Sequence, residues 1–213
     1  MARRAGSQGE KTEAAIRDAA LKLIARCGYE ALSMRRLAEE VGLGAAAIYR
    51  YFPNKQAILM GLLERHMLDL LTSWEQARLP AARPAPERLE CFTRFHIRHH
   101  LPRAEGVFLS YMELRSLTPD NFDRIEGLRR SYESDLAAIL EAGRREGSLA
   151  APAPRVTARA VIAMLTGLTT WYRKSGPLTP SEVEAIYWRL VAGMVGLAPQ
   201  ERASGPETTS APA

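Results

Sequence analysis

The chain has 213 residues, 46% of them hydrophobic and 25% charged, which is ordinary for a globular protein and long enough to bury one or two apolar cores. No stretch reaches the ~18 uninterrupted apolar residues a membrane-spanning helix needs, and the basic N-terminus MARRAGSQGEK has no apolar run behind it, which argues against a secretory signal. The formal net charge of +5 sits at one end: residues 1–66 carry 11 Lys/Arg against 7 Asp/Glu and the remainder 18 against 17, so a polyanionic partner is expected in the N-terminal third.

In chain order, residues 1–9 carry Gly, Ser and Arg without periodicity and read as a mobile arm. From there every periodic segment follows 3.6 rather than 2, and no hairpin signal occurs. Glycines and prolines divide the chain into about nine helices: 11–27, 34–41, 45–51, 54–79, 86–100, 104–117, 119–146, 155–174 and 180–196. Thr118-Pro119 and Thr179-Pro180, each followed by acidic residues, are good helix starts. Residues 198–213 (APQERASGPETTSAPA) are rich in Pro, Ser, Thr and Ala and read as a disordered tail. The expected fold class is all-α, with a helix-turn-helix domain over 10–56 and a helical bundle over 57–197. The charge-free run Ala160 to Tyr172 contains three threonines and a glycine and reads as a core helix. Cys27 and Cys91 lie in helical patterns without CxxC or Cys/His spacing, so they read as small core residues of a protein in the reducing cytoplasm.

The segment Thr12 to Lys55 carries the functional signal. Ile16, Ala19, Ala20, Leu23 and Ile24 form one apolar stripe, closed by Gly28 as a left-handed stop. Ser33 stands as an N-cap before MRRLAEEV, whose Leu37, Ala38 and Val41 turn inward. Gly42-Leu43-Gly44 makes a tight turn into AAAIYRYF, a short helix stopped by Pro53. Small residues at the start of such a helix let its backbone enter a major groove, and Ala methyls suit thymine methyls.

The run LSMRRLAEEVGLGAAAIYRYFPNKQAIL (32–59) resembles the signature of TetR-family transcription regulators. Leu37-Ala38, Val41-Gly42-Leu43, Ile48-Tyr49, Tyr51-Phe52 and Asn54-Lys55 carry the likeness, which is specific over 10–65. The resemblance implies a recognition helix over Ala45–Tyr51, with Ala45, Ala46 and Ala47 toward the bases and Tyr49 and Tyr51 toward phosphates or base edges. It implies a phosphate contact for Lys55, with Arg35 and Arg50 as further candidates. The alternative for Tyr49 is a core position under the module, and for Arg35 and Arg36 a solvated face. The chain departs from the family pattern at Gly44 and Ala45, where Ser or Thr and Lys are common, removing an N-cap and a phosphate contact. The implied partner is double-stranded DNA bearing an inverted repeat, bound by a dimer through roughly 6–10 phosphate contacts and so salt-sensitive.

Ile58, Leu62, Leu63, His66, Met67, Leu70, Leu71 and Trp74 share one side of the 54–79 helix, which in such regulators transmits a ligand signal to the recognition helices. Downstream, YMELRSLTPDNF, RRSY, GRREGSL and WYRKSGPLT resemble, over about 105–197, acyl-CoA-responsive members that control fatty-acid and steroid breakdown. That resemblance implies an apolar tunnel, for which Phe108, Tyr111, Met112, Met164 and Trp171 are the candidates. Arg115, Arg129 or Arg173 would meet an anionic end. Each of these residues has a plainer alternative, core for the apolar set and surface ion pairs for the arginines. Among His96, His99 and His100, His96 and His100 share a face at i, i+4 but have no HExxH glutamate or third ligand, so the three read as core or interface histidines rather than a metal site; no cofactor is expected. Val161, Leu165, Leu168 and Trp171, with Ile186, Leu190, Met194 and Val195, give 155–174 and 180–196 wide apolar faces. Gly167, Gly193 and Gly196 permit close approach, and the family likeness implies a four-helix homodimer interface there.

The reading that follows is a ligand-responsive regulator, a repressor released by a hydrophobic effector such as an acyl-CoA. The alternative within the family is a sensor of another lipophilic or cationic molecule, as in drug efflux control. A helical enzyme is disfavoured, since no Ser/His/Asp order, paired-carboxylate set or phosphate-binding glycine loop is present; recruiting Glu113 and His96 would be assertion. A ligand carrier without DNA binding leaves 33–55 unexplained.

Overall fold

The structure, a computed structural model, describes the backbone of residues 3–197 and the side chains of residues 8–197. The expected tail over 198–213 lies outside the described residues. Within them the chain is all-α: α1 (Arg3–Cys27), α2 (Met34–Val41), α3 (Ala45–Tyr49), α4 (Lys55–Ala77), α5 (Ala85–His100), α6 (Ala104–Met112), α7 (Pro119–Arg145), α8 (Pro154–Trp171) and α9 (Pro180–Met194). Short 3-10 turns at Leu101–Arg103 and Leu114–Ser116 flank α6.

The first helix is longer than its apolar stripe. Ile16, Ala20, Leu23 and Ile24 are buried as the periodicity requires, and Gly28 ends the helix at φ +79°. Residues 3–9, expected as an arm, instead continue α1. No proline interrupts that stretch, and helix propagation from an already packed segment is far cheaper than nucleation.

Capping divides the next elements. The Ser33 hydroxyl accepts from the Arg36 amide at 3.2 Å, and Gly42 at φ +71° closes α2, its turn tightened by the Leu43 amide bonded to the Ala38 carbonyl at 2.9 Å. α3 has five residues rather than the seven expected over 45–51. The amides of Tyr51 and Phe52 both reach the Ile48 carbonyl at 3.0 Å, a tight final turn before Pro53. Asn54 then caps α4, its side chain accepting from the Ala57 amide at 2.8 Å.

Downstream, α5 is the central rod, packed against α4, α7, α8 and α9 with Leu89 and Phe92 fully buried. Trp74 of α4 stacks edge-on against Phe92 at 4.9 Å, and its indole donates to Asp135 at 3.1 Å. One continuous apolar cluster runs from Ile16 to Val195, so α1, α4 and α6 join the N-terminal module to the bundle instead of leaving two separate cores.

Three expectations need correction here. The predicted helix 104–117 breaks after Met112, because the Glu113 carboxylate is drawn out of the helical path to bond the Tyr29 amide. Cys27 is exposed at the end of α1, and Cys91 is half-buried in α5, packed against the core without being part of it. Gly196 does not serve close helix approach: it turns the chain at φ +71° after α9, where a Cβ would come within 3.0 Å of Ala150.

Candidate nucleic-acid interface and bundle cavity

α3 is held from behind and open in front. Ile48 is fully buried and Phe52 nearly so, which pins the short helix onto α1 and α2. Ala45, Ala46, Tyr49 and Arg50 lie at i, i+1, i+4 and i+5, and all four are exposed, with Tyr49 at 53%. The core alternative for Tyr49 is therefore rejected. Ala47 and Tyr51 are half-buried at the flanks. Gly44 occupies the N-cap position without a side-chain bond, as its identity requires.

The neighbouring cations divide into paired and free. Lys55 lies 3.3 Å from Glu30 and 4.5 Å over the Tyr29 ring, so its ammonium is already engaged within the protein. Arg35, very exposed, pairs with Glu39 at 3.2 Å one turn away. Arg26 reaches Glu40 at 3.5 Å. Arg36 and Arg50 are exposed and enter none of the ion pairs among the described residues.

A polar joint fastens this module to the bundle. Glu113, almost fully buried at the end of α6, accepts from the Tyr29 amide at 3.1 Å and the Ser116 hydroxyl at 2.7 Å. Gln56 of α4 donates to the Ser116 carbonyl at 2.8 Å and the Tyr29 hydroxyl at 3.2 Å. Its carbonyl oxygen accepts from the Thr118 amide and the Asn121 side chain. Little in the local sequence marks these two residues, since Glu113 meets Tyr29 84 positions away and Gln56 meets Tyr29, Ser116, Thr118 and Asn121 from 27 to 65 positions away.

A cavity of about 310 Å³ lies behind the joint, walled by α4, α5, α6, α7 and α8. Met67, Leu70, Ile162 and Ala163 supply its apolar wall, while His66, His96, His100, Ser110, Tyr111, Tyr132 and Thr166 supply hydrogen-bonding groups. Arg129 and Arg159 stand beside Glu126 and Glu133 in the same wall. Burial, reinforced by neighbouring imidazoles, lowers His96 to about 3, and burial with the Arg103 charge nearby lowers His66 to about 4. His100 is likewise pushed down by burial, and the Tyr132 phenol is pushed up by it. All of these groups are neutral at neutral pH. His66 also borders a groove of about 660 Å³ between α1, α4 and α6, so its imidazole is common to the walls of both spaces.

Of the expected tunnel residues only Tyr111 lines this cavity, joined there by Arg129. Phe108, Met112 and Trp171 are 46%, 48% and 47% exposed, on faces of α6 and α8 turned away from it. Met164 is half-buried against the core, and Arg115 borders a separate cleft with Tyr29 and Glu113. Arg173 is exposed, its guanidinium bonded to the Tyr172 carbonyl. Large apolar residues read as a tunnel are thus mostly surface. His96 and His100 stack at 3.9 Å as buried, hydrogen-bonded core residues.

Residues 82–195 match the model of the tetracyclin repressor-like C-terminal domain, and residues 16–61 match that of the bacterial regulatory proteins of the tetR family. The fatty acid metabolism regulator protein of Bacillus subtilis (strain 168) is 27% identical over 134 residues, 63% of this chain and 69% of the relative. A bacterial regulatory protein in the tetR family from Rhodococcus RHA1 superposes with a TM-score of 0.83 at 27% identity, over 88% of this chain and 98% of that one. AibR, solved in complex with isovaleryl coenzyme A and operator DNA, shares the fold with a TM-score of 0.73 at 24% identity, over 87% of this chain and 98% of its own.

Proposed function

Because the chain belongs to the TetR family of bacterial regulatory proteins, DNA-binding transcription regulators rather than enzymes, we propose that it is a homodimeric repressor released from an inverted-repeat operator by a hydrophobic effector such as an acyl-CoA. The observation that carries this reading is the outward face of α3, where Ala45, Ala46, Tyr49 and Arg50 are exposed on a helix anchored by buried Ile48 and Phe52. In the bound state the alanines face the bases, with Ala47 at the flank, and Tyr49, Arg50 and Tyr51 hold phosphates or base edges. Arg35 and Lys55 turn to the backbone by exchanging a carboxylate partner for a phosphate.

Dimerisation is supported by the outer faces of α8 and α9. Val156, Ala160 and Trp171 on α8, and Leu190, Gly193 and Met194 on α9, are exposed at helical spacing. Val161, Leu165, Leu168 and Val195, first assigned to this face, are buried in the protomer's own core. The acyl-CoA reading is supported by the cavity and by the relatives: one regulates fatty acid metabolism and another was solved with an acyl-CoA. α6 supplies the route, since Ser110 and Tyr111 border the cavity and Glu113, one residue past the helix, bonds the Tyr29 amide. An effector that favours one placement of α6 shifts the population between operator-binding and released states, for which a few kcal/mol of differential affinity suffice.

The test selects bound fragments from the source genome and measures their affinity against salt. Tyr49→Ala and Arg50→Ala are expected to weaken operator binding about tenfold each, and Arg50→Ala to lower the salt slope by about one per half-site. A Leu190→Glu, Met194→Glu double variant is expected to run as a monomer on size exclusion and to lose the operator. Unchanged affinity in both α3 variants rejects the reading.

A further inference from the structure

We propose that the cavity receives an uncharged, oxygen-bearing part of the effector, a hydroxyl or keto group on a short chain or ring, hydrogen-bonded at a floor formed by Thr166, Tyr132 and His100. This deepens the effector reading above and rests on it.

The cavity floor holds one more hydrogen-bond donor than its internal bonds use. His96 meets the Tyr132 hydroxyl at Nδ1 and the Thr166 hydroxyl at Nε2, both at 3.1 Å, and the Tyr111 hydroxyl donates to the same Thr166 oxygen at 3.2 Å. A neutral imidazole carries one N–H. If it is on Nε2, Thr166 accepts twice, from His96 and from Tyr111, and its own hydroxyl hydrogen is unspent. If it is on Nδ1, Tyr132 accepts, Thr166 donates to Nε2, and the hydrogen of Tyr132 is unspent. The four donors His96, Tyr132, Thr166 and Tyr111 serve three bonds, so in either tautomer one hydroxyl hydrogen among Thr166, Tyr132 and Tyr111 is left over, and all three hydroxyls border the cavity.

An acceptor stands beside it. His100 Nδ1 lies 2.9 Å from the His96 carbonyl, which can only accept, so Nδ1 holds the proton and Nε2 holds a lone pair. The His100 ring stacks on the His96 ring at 3.9 Å, which places this lone pair next to the relay. An alkyl segment would strand donor and acceptor alike, or displace water without replacing its bonds; a ligand oxygen restores them.

Charge narrows the class further. Arg159 lies 2.8 Å from Glu133 and Arg129 3.7 Å from Glu126, while the imidazoles are held neutral by burial. A carboxylate or an ammonium group entering here therefore meets no unpaired counter-charge, which also disfavours the lipophilic-cation alternative. The volume of about 310 Å³ has room for a segment of roughly ten non-hydrogen atoms.

Calorimetry with the full chain compares butyryl-CoA with 3-hydroxybutyryl-CoA. The hydroxylated thioester is expected to bind on the order of tenfold more tightly, since a site built to hydrogen-bond a hydroxyl penalises the analogue lacking it. Thr166→Val and, separately, His100→Phe should bring the two ligands toward parity, with a single cooperative thermal unfolding transition as the sign that each variant still folds. Equal or weaker binding of the hydroxylated ligand to the unaltered protein, with butyryl-CoA bound, overturns the polar floor and leaves the acyl-CoA reading standing. Failure of both thioesters to bind overturns that reading, and this inference with it.

Discussion

α3 and α6 are both short helices at the working ends of the molecule, and they are held in place by opposite means. α3 rests on neighbours in the chain: the Gly42 turn before it, Pro53 after it, and Ile48 and Phe52 buried beneath. α6 rests on residues far away: Tyr111 bonds Thr166, Arg129 donates to the Ser110 carbonyl at 3.2 Å, and Glu113 just beyond it bonds Tyr29. A reading surface needs a fixed shape in every state, and local caps with apolar anchors provide one. A transmitting element must answer to two distant regions, and polar bonds to both give it two ends that respond.

Acid should separate the two regions most sharply. All four histidines, His66, His96, His99 and His100, belong to the bundle side, and residues 10–56 contain none. Burial lowers them to about 4, about 3, about 4 and well below 6.5 respectively, from an ordinary 6.5. Their folded-state values are depressed, so the unfolded chain takes up protons first as pH falls. Stability is therefore full above about pH 6.5 and is lost as pH falls toward 4, by up to about 1.4 kcal/mol per pH unit for each histidine. Urea unfolding at pH 7.5 and 5.5 should show this loss, and His96→Gln should reduce its slope. A stability curve flat over that range would refute the buried, neutral assignment.

Cutting the joint tests the link between the regions. Glu113→Ala leaves the Tyr29 amide and the Ser116 hydroxyl without their partner, at a cost of about 1–3 kcal/mol in unfolding experiments. Operator binding without effector should survive, because α3 keeps its own anchors, while the effector-induced loss of affinity should shrink. Full effector response in this variant would place the coupling elsewhere, through α4 alone.

The smallest effect concerns α3 itself. Gly44 has φ −70°, and a Cβ there meets nothing within 4 Å, so a serine fits and can cap the helix. Gly44→Ser should raise stability by a few tenths of a kcal/mol, visible as a slight rise in melting temperature. A fall would mean that the turn needs glycine for a reason other than its backbone angles.

The reading module was legible because its logic is local. The stripe of α1, the Ser33 cap, the Gly42 stop and the Pro53 boundary are each a statement about residues within four positions of one another, and each stands in the structure as the pattern implied. The cavity was not legible. It draws single residues from five helices, and large apolar side chains such as Phe108, Met112 and Trp171 gave the same signal whether turned inward or outward. Glu113 was equally hidden, since a glutamate on a helical pattern is usually solvated.

The amino-acid sequence by itself determined the all-α class, the order of the helices and most of their boundaries to within two residues, because helix periodicity and capping act over a few residues; that Tyr49 is exposed was left to the structure. Tertiary structure alone decided that α6 breaks at Glu113, that Lys55 is paired with Glu30, and that the cavity floor is a chain of neutral hydrogen-bonding groups. Those outcomes depend on which distant side chains meet in a low-dielectric interior, where an unpaired polar group is costly enough to redirect the backbone.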